Sequence, residues 1–356
     1  MASIKFNGNA SDFYSDLKNK VDAYFAEKKI DPTGNGMLYF KTAFYMLSFL
    51  ATYIILVFFT PPAAIAITMC VLFGLLTAGI GFNVMHDGGH GSYSPNKTIN
   101  KLAALTLNMV GGSSYLWNIK HNMIHHTFTN IDGHDDDIST EPVLRLCKSH
   151  KRYFFHRFQF LYWFIVYGLT YFLWIFILDL VKYFRKSISS KTGIKFDLKT
   201  HIGFWATKIL YAGTFVILPI EMVGFTNFLI GYSVFLFTTG VYISTIFQLA
   251  HAVEETHFVD PTNMEVLEND WAVHQVRTTS NFGSRSKVLS FLTGGLNQQV
   301  EHHLFPKISH IHYPNLSLIV KETCTAHGLV YLEQPTIWHA VASHVRLLYN
   351  LGWKIK

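Results

Sequence analysis

Three short stretches of the sequence place histidines at spacings that suit metal binding. They read HDGGH at 86–90, HNMIHH at 121–126 and QQVEHH at 298–303. Residues three or four apart on a helix share a face and can bind one ion together. A single pair is weak evidence, because paired surface histidines are common. Three such stretches in one chain favour a shared metal centre.

A further candidate is His251, which ends the last long apolar run of the chain. The candidate metal ligands are therefore His86, His90, His121, His125, His126, His251, His302 and His303. A zinc site takes about four protein ligands, so eight imidazoles imply two ions. The chain lacks paired cysteines and the glutamate of an HExxH motif, so iron without a sulfur cluster fits, although other first-row metals stay open.

Polar residues near these stretches could orient the ligand imidazoles through hydrogen bonds. The candidates for this role are Asp87, His134, Asp137, His257, His274 and Gln299. The acidic residues at 135–137 could instead form a solvated loop. The other histidines are expected at the surface or the membrane interface, and they are His150, His156, His201, His310, His312, His327, His339 and His344.

The composition is that of a membrane protein. Hydrophobic residues make up 50% of the chain and charged residues only 15%, whereas soluble domains carry about 25% charged residues. The net charge of +6 forms no compact basic stripe, so no nucleic-acid partner is expected. The three cysteines show no CxxC spacing and are expected to be reduced.

Four uncharged or nearly uncharged runs predict membrane spans at about 43–60, 63–85, 202–220 and 222–250. Each pair is separated by a very short turn, so the predicted fold is an all-α integral membrane protein with four spans in two hairpins. Lys208 lies near the inner end of the third span and is expected to snorkel towards the interface. Both termini and every histidine cluster then face the cytoplasm, beneath a helical cap.

Two further apolar runs, 102–119 and 158–178, are expected to be re-entrant or interfacial. The first lies between two histidine clusters that a span would separate. The second has basic residues on both flanks, which the positive-inside rule places in the cytoplasm. The predicted organisation is an amphipathic cytoplasmic segment at 1–40, lying on the membrane or against the protein, a membrane domain at 41–310 and a cytoplasmic tail at 311–356.

The location of the predicted centre indicates its substrate. Two metal ions just below the inner face of a bilayer suit the oxidation of unactivated C–H bonds in a long acyl chain, which requires a strong oxidant and the exclusion of water. A metal transporter is the alternative from another class. Transporters place ionisable ligands near the bilayer midplane, but the histidines of this chain gather at the ends of the runs.

The three stretches resemble the histidine boxes of the membrane-bound fatty-acid desaturases, and the resemblance covers residues 40–310. It implies four membrane helices below a cytoplasmic cap that holds two irons, with O2 as co-substrate. It also implies that the histidines of the three boxes are iron ligands, with His251 as a further one. A hydroxylase or an acetylenase would share the same boxes.

Gln299 begins the third box, where most of the family has histidine. This feature resembles the front-end subgroup, similar to linoleoyl-CoA 6-desaturases, which insert a cis double bond between an existing one and the carboxyl end. The amide of Gln299 could bind iron weakly, reach it through water, or hydrogen-bond an imidazole.

The HPGG signature of a fused haem domain is absent from the sequence. The expected electron donor is therefore a separate ferredoxin or a free cytochrome. The expected setting is a bacterial cytoplasmic membrane, with an acyl-CoA or an acyl lipid as substrate and a role in unsaturated fatty-acid biosynthesis.

Overall fold

The computed structural model describes residues 4–8, 11–262 and 264–353, and these are mostly helical. Within these described ranges, five helices are long and apolar enough to cross a membrane. They are Gly36–Phe59, Ala63–His90, Phe154–Arg185, Leu198–Val223 and Phe225–His251. The chain is thus a multi-pass integral membrane protein.

Shorter elements connect and cover these helices. The helices are Asp12–Lys28, Lys97–Ala104, Thr106–Met109, Ser114–Trp117, His126–Phe128, Trp271–Thr278, Lys287–Thr293, Gln299–Leu304, Tyr313–Ala326 and Ile337–Trp353. The prediction of an all-α chain missed two small strand pairs. Ser187–Ile188 pairs antiparallel with Lys191–Thr192, and Asn281–Phe282 pairs parallel with Glu333–Gln334.

Both predicted hairpins have very short turns. Pro61 and Pro62 separate the first two long helices, and Thr60 before them adopts a left-handed conformation that ends the first helix. Gly224 alone separates the last two, with φ of 80°, which a residue without a side chain adopts at little cost. The first two helices pack against each other. In the second hairpin, Phe225–His251 packs mainly against Phe154–Arg185 and Ala63–His90, and it meets Leu198–Val223 near the turn and through the Tyr211–Tyr232 hydrogen bond.

Of the two alternatives predicted for 158–178, the re-entrant one is wrong, because the run does not turn back on itself. It forms part of one continuous helix, Phe154–Arg185, which packs closely against Phe225–His251. Gly168 and Gly240 let the two backbones approach, and Thr170 and Ser244 hydrogen-bond at 2.6 Å. Small residues at a crossing and interhelical hydrogen bonds are what hold helices together in lipid.

Lys208 does not snorkel as expected. Its Nζ binds Asp179 Oδ2 at 3.0 Å and the carbonyls of Gly111 and Ile175 at 2.7 Å. A charge buried among helices needs such a partner, since its alternative is hydrocarbon. The pair ties the third predicted span to the end of Phe154–Arg185, a partner that lies too far along the sequence for spacing to reveal.

The segments outside the long helices form a folded layer. Phe13, Leu17, Val21 and Phe25 form the buried face of the first helix. They pack against the helices Trp271–Thr278 and Tyr313–Ala326, in the same cluster as the third histidine stretch. The amphipathic helix therefore lies against the protein.

The last helix, Ile337–Trp353, also packs on the long helices. Tyr167 donates a hydrogen bond to His344 Nε2 at 2.9 Å, and His344 Nδ1 donates to the carbonyl of Ala252 at 2.6 Å. This chain of contacts links the C-terminal helix to both Phe154–Arg185 and the residue that follows His251.

Replacing Gly240 with alanine should destabilise the protein. The new Cβ would lie 2.6 Å from the carbonyl oxygens of Tyr167 and Gly168, and such overpacking lowers the free energy of unfolding by about 1–3 kcal/mol. Thermal unfolding of the detergent-solubilised protein measures the change. Gly203→Ala is the control, because a Cβ there meets nothing within 4 Å. Equal melting temperatures for the two variants would show that the crossing is not tightly packed.

Candidate metal centre

The three histidine stretches reach one place by different local structures. His86 follows a π-helical turn, Gly81–Met85, at the end of the second long helix. The second stretch lies mostly in a π-helix, Asn118–His125, rather than in the α-helix that the spacing suggests. A π-helix is wider, so His121 contacts both His125 and His126, with ring centroids 5.2 and 4.7 Å apart. The third stretch is the short helix Gln299–Leu304.

One group of candidate ligands combines all three stretches. His86, His90, His121 and His302 each offer one ring nitrogen, and these atoms all lie within 4.8 Å of one another. The Nε2 atoms of His86 and His121 are 3.1 Å apart. Four imidazoles that converge in this way can surround one ion.

A second group lies beside the first. His125, His251 and His303 also offer nitrogens within 4.8 Å of one another. His126 is near both groups, because its Nε2 is 3.2 Å from His121 Nε2 and it forms a third such set with His302 and His303. The structure therefore brings all eight predicted residues together, in an arrangement that fits two adjacent ions.

Most of these imidazoles are buried, and several of their ring nitrogens have no hydrogen-bond partner among the described residues. Burial holds the pKa of His121, His126, His302 and His303 well below its usual value, so these rings are neutral. Among the described residues, no hydrogen-bond partner exists for Nε2 of His90, His125, His251, His302 or His303. An unpaired buried polar atom is unfavourable, and a neutral imidazole lone pair is what a metal ion accepts. The residues therefore fit a pair of bound irons.

Hydrogen bonds on the opposite side of several rings fix their orientation. Nδ1 of His303 donates to Gln275 Oε1 at 2.8 Å, and Nδ1 of His302 lies 3.1 Å from the hydroxyl of Tyr313. In each ring, a proton held on Nδ1 leaves the lone pair of Nε2 directed into the centre.

The acidic loop supplies the equivalent partner for His125. Its Nδ1 lies 3.1 Å from Asp135 Oδ2 and 3.3 Å from Asp137 Oδ2. Burial opposes protonation of His125, but the two carboxylates outweigh it and raise the pKa of the ring. Lys120 pairs with Asp137 at 2.5 Å. These acidic groups therefore form part of the centre rather than a solvated loop.

The family model described as fatty acid desaturase matches residues 61–335. The chain belongs to this family. The desaturase is 34% identical to an sn-1 linoleoyl-lipid 6-desaturase of Arthrospira platensis, over 97% of this chain and 94% of the relative. It is 36% identical to the protein of the same name from Synechocystis, over 94% of each. An acyl-lipid (8-3)-desaturase of Physcomitrium patens is 33% identical over 96% of this chain and 72% of the relative.

The family establishes the general chemistry. The protein is an oxidoreductase that introduces a double bond into a fatty-acyl chain, as the sequence predicted. The transporter alternative is thereby excluded.

The other predicted site residues are distributed unevenly. Asp87 contacts Ser309 at 2.6 Å and His310 at 3.1 Å, so it joins the first stretch to the segment after the third. His274 donates to the carbonyl of Thr129 at 2.8 Å, next to the hydroxyl that approaches His303.

The remaining candidates behave differently from one another. His134 is buried against Phe128 and lies near the carbonyl of Asp132. The side chain of His257 is exposed. Gln299 is 1% exposed, and among the described residues neither atom of its amide has a hydrogen-bond partner.

Sequence reasoning misplaced several other histidines. Five of those expected at the surface or interface are buried, namely His150, His156, His310, His312 and His344. Most satisfy a ring nitrogen within the fold, as His156 does with the carbonyl of Pro142 at 2.7 Å. Such partners depend on tertiary structure, so composition and spacing could not reveal them.

Sequence reasoning also missed two residues of the centre, Gln275 and Tyr313. Gln275 lies next to the candidate His274, but nothing in its type or spacing distinguishes it. Tyr313 begins a helix after the third stretch. Only the packing of these helices on Gln299–Leu304 brings the two side chains to the imidazoles.

Replacing Gln275 with alanine should weaken metal binding at His303, because the ring loses the acceptor that fixes its proton and its orientation. Loss of such a partner costs roughly 10–100-fold in metal affinity or activity. Iron retained after graded chelator treatment measures this effect. Gln275→Glu keeps an oxygen acceptor and should retain more iron. Retention of iron by Gln275→Ala equal to that of the unaltered protein would contradict the orienting role.

Proposed function

We propose that this desaturase is a front-end acyl-lipid enzyme that holds two irons. It inserts a cis double bond between an existing double bond and the carboxyl end of a fatty-acyl chain esterified in a membrane lipid. The names of the relatives support a lipid-linked, already unsaturated substrate. Gln299 at the start of the third stretch supports the front-end assignment.

The proposed iron ligands are the eight imidazoles of the candidate metal centre. The observation that carries this proposal is the set of buried Nε2 atoms without partners, which face one another in two adjoining groups. Surface histidines would be solvated, and core histidines would be paired within the fold as His156 is. Rings that are oriented on one side and unpartnered on the other are preorganised for metal ions.

Bound irons would supply the oxidising chemistry, in which O2, two electrons, two protons and two acyl hydrogens yield one double bond and two waters. The protein keeps water from the centre with aromatic side chains. The Trp117 ring stacks on His121 with centroids 4.6 Å apart, and Phe247 approaches the same ring at 6.1 Å. His90 is only partly buried and marks the more open side.

Gln299 is the residue proposed to tune the centre. Its amide is buried with unpartnered atoms, so it is free to bind an ion, a water or a neighbouring ring. Gln298 is equally buried and also unpartnered among the described residues. Gln299→Ala should therefore cost far more activity than Gln298→Ala, and this comparison tests the position of the amide rather than its burial.

We further propose four spans, with the histidine centre on the cytoplasmic side of a bacterial membrane and a separate ferredoxin or cytochrome as electron donor. Both halves of Phe154–Arg185 contact residues that neighbour the candidate metal centre. Lys182 binds Asp136 at 2.5 Å, next to the acidic partners of His125. Tyr167 reaches Ala252 through His344. This helix would then lie obliquely at the inner face rather than cross the membrane.

The purified protein should contain about two irons per chain, because eight imidazoles exceed the needs of one ion. His302→Ala should lower the iron content and abolish turnover while the protein still inserts, since the long helices do not depend on this ring. His339→Ala is the control, because this histidine is exposed. One zinc per chain and no iron would rule out the di-iron proposal.

Cells that express the protein and are fed an acyl chain with an existing double bond should gain a cis double bond nearer the carboxyl group. Mass spectrometry of derivatised lipids locates the bond, and separation of lipid classes before hydrolysis shows where it first appears. A new bond on the methyl side would remove the front-end assignment. Earliest appearance in acyl-CoA would contradict a lipid-linked substrate.

Topology can be tested with single cysteines, since the three native cysteines are buried. Phe154→Cys and Arg185→Cys place exposed thiols at the two ends of the oblique helix. An impermeant reagent should label both only from the cytoplasmic side, and label Phe225→Cys in the second hairpin turn only from the opposite side. Labelling of the first two thiols from different sides would make this helix a fifth span.

A further inference from the structure

A second group of metal-ligand side chains lies outside the histidine centre, in the loop before Phe154–Arg185. Asp132, Cys147 and His150 each offer a ligand atom, and these three atoms lie within 4.8 Å of one another. Cys147 is 3% exposed and His150 is 4% exposed. The side chain of Asp132 is 27% exposed and forms the open edge of the group.

The imidazole of His150 is only half satisfied. Its Nε2 lies 3.2 Å from Asp132 Oδ1, so this nitrogen and the carboxylate can bind one ion between them. Nδ1, on the opposite side of the ring, is buried with no hydrogen-bond partner among the described residues, so no hydrogen bond at Nδ1 fixes which nitrogen carries the proton. Other histidines among the described residues also have a buried ring nitrogen without a partner. Those that belong to a group of possible metal ligands lie in the histidine centre.

The turn that carries the ligands is held by other groups. The guanidinium of Arg145 donates to the carbonyls of Lys148, His150 and Leu351 at 2.6, 2.8 and 2.8 Å. These bonds fix the backbone between Cys147 and His150 without using either side chain. The thiol of Cys147 lies 3.0 Å from Ser149 Oγ, and the backbone of Ser149 and His150 also hydrogen-bonds to it. The ligand geometry is therefore set by the fold before any ion binds.

We propose that Asp132, Cys147 and His150 bind a third metal ion, separate from the histidine centre, and that this ion is zinc. A thiolate, an imidazole and a carboxylate are the ligand types that zinc accepts, and a tetrahedral site with three protein ligands leaves one position for water. Magnesium and calcium prefer oxygen ligands throughout. This inference does not depend on the proposed regiochemistry or electron donor.

The site would act on the histidine centre through the loop that it closes. Asp132 and His150 are the two ends of a segment that contains Asp135 and Asp137, the acidic partners of His125. An ion that joins these ends would reduce the freedom of the segment between them. The expected role of the ion is to hold this acidic segment in place beside His125.

Metal analysis of the full-length protein in detergent tests the proposal. After equilibration with zinc and removal of free metal, the unaltered protein should retain about one zinc per chain in addition to its iron. Cys147→Ser and His150→Gln should each lose this zinc while iron is unchanged. The control is Cys324→Ser, which removes a buried cysteine outside the group and should leave zinc in place.

Substitution with cobalt gives a second measurement, because a thiolate bound to cobalt absorbs light in a charge-transfer band. The unaltered protein and Cys324→Ser should show thiolate-to-cobalt charge-transfer absorption, and Cys147→Ser should not. Absence of this absorption from the unaltered protein, or its persistence in Cys147→Ser, would overturn the proposal, as would zinc retention that is equal in all variants. If a variant fails to fold, the absorption of the unaltered protein alone still decides whether a thiolate site exists.

Discussion

The structure depends on the convergence of eight imidazoles in one largely buried space. Burial holds several of these rings neutral, and five of their Nε2 atoms lack a hydrogen-bond partner among the described residues, which is unfavourable unless something else accepts their lone pairs. Metal ions satisfy this requirement, and they demand that residues from four distant parts of the chain meet within a few ångströms. Most of the other contacts around the centre either orient these rings or hold the segments that carry them together.

The contacts on the outer side of the rings come from separate elements. Trp271–Thr278 contributes Gln275 to His303, Tyr313–Ala326 contributes Tyr313 to His302, and the acidic loop contributes Asp135 to His125. Each acceptor fixes a tautomer and an orientation, so the lone pair that remains points inward. The folded layer outside the long helices therefore determines the orientation of ligands, some of which lie on membrane helices.

A buried polar chain joins the first long helix to the same region. Lys41 Nζ donates to His310 Nε2 at 2.8 Å, and His310 in turn contacts Asp87, the residue after His86. A buried lysine is tolerated because this partner is present. Together with the Lys208–Asp179 pair, it shows how charged groups near the membrane face hold helices and loops in register.

The sequence by itself determined the membrane character, the two hairpins, the eight candidate ligands and the family. These features follow from local patterns, namely uncharged runs, proline and glycine at turns, and short stretches in which histidines or a glutamine recur at helical spacing. The length of an apolar run decides whether it can span a bilayer, and the spacing of histidines decides whether they share a helix face. Both can be judged without knowing which distant residues they will contact.

Tertiary structure alone decided the features that depend on distant partners. The continuous helix Phe154–Arg185, the π-helical form of the second stretch, the Lys208–Asp179 pair and the roles of Gln275 and Tyr313 all belong to this group. Gln275 and His303 are separated by 28 positions in the chain, yet their atoms lie 2.8 Å apart. A hydrogen bond of this kind is fixed by how helices pack, and packing depends on the whole set of side chains at an interface rather than on any local pattern.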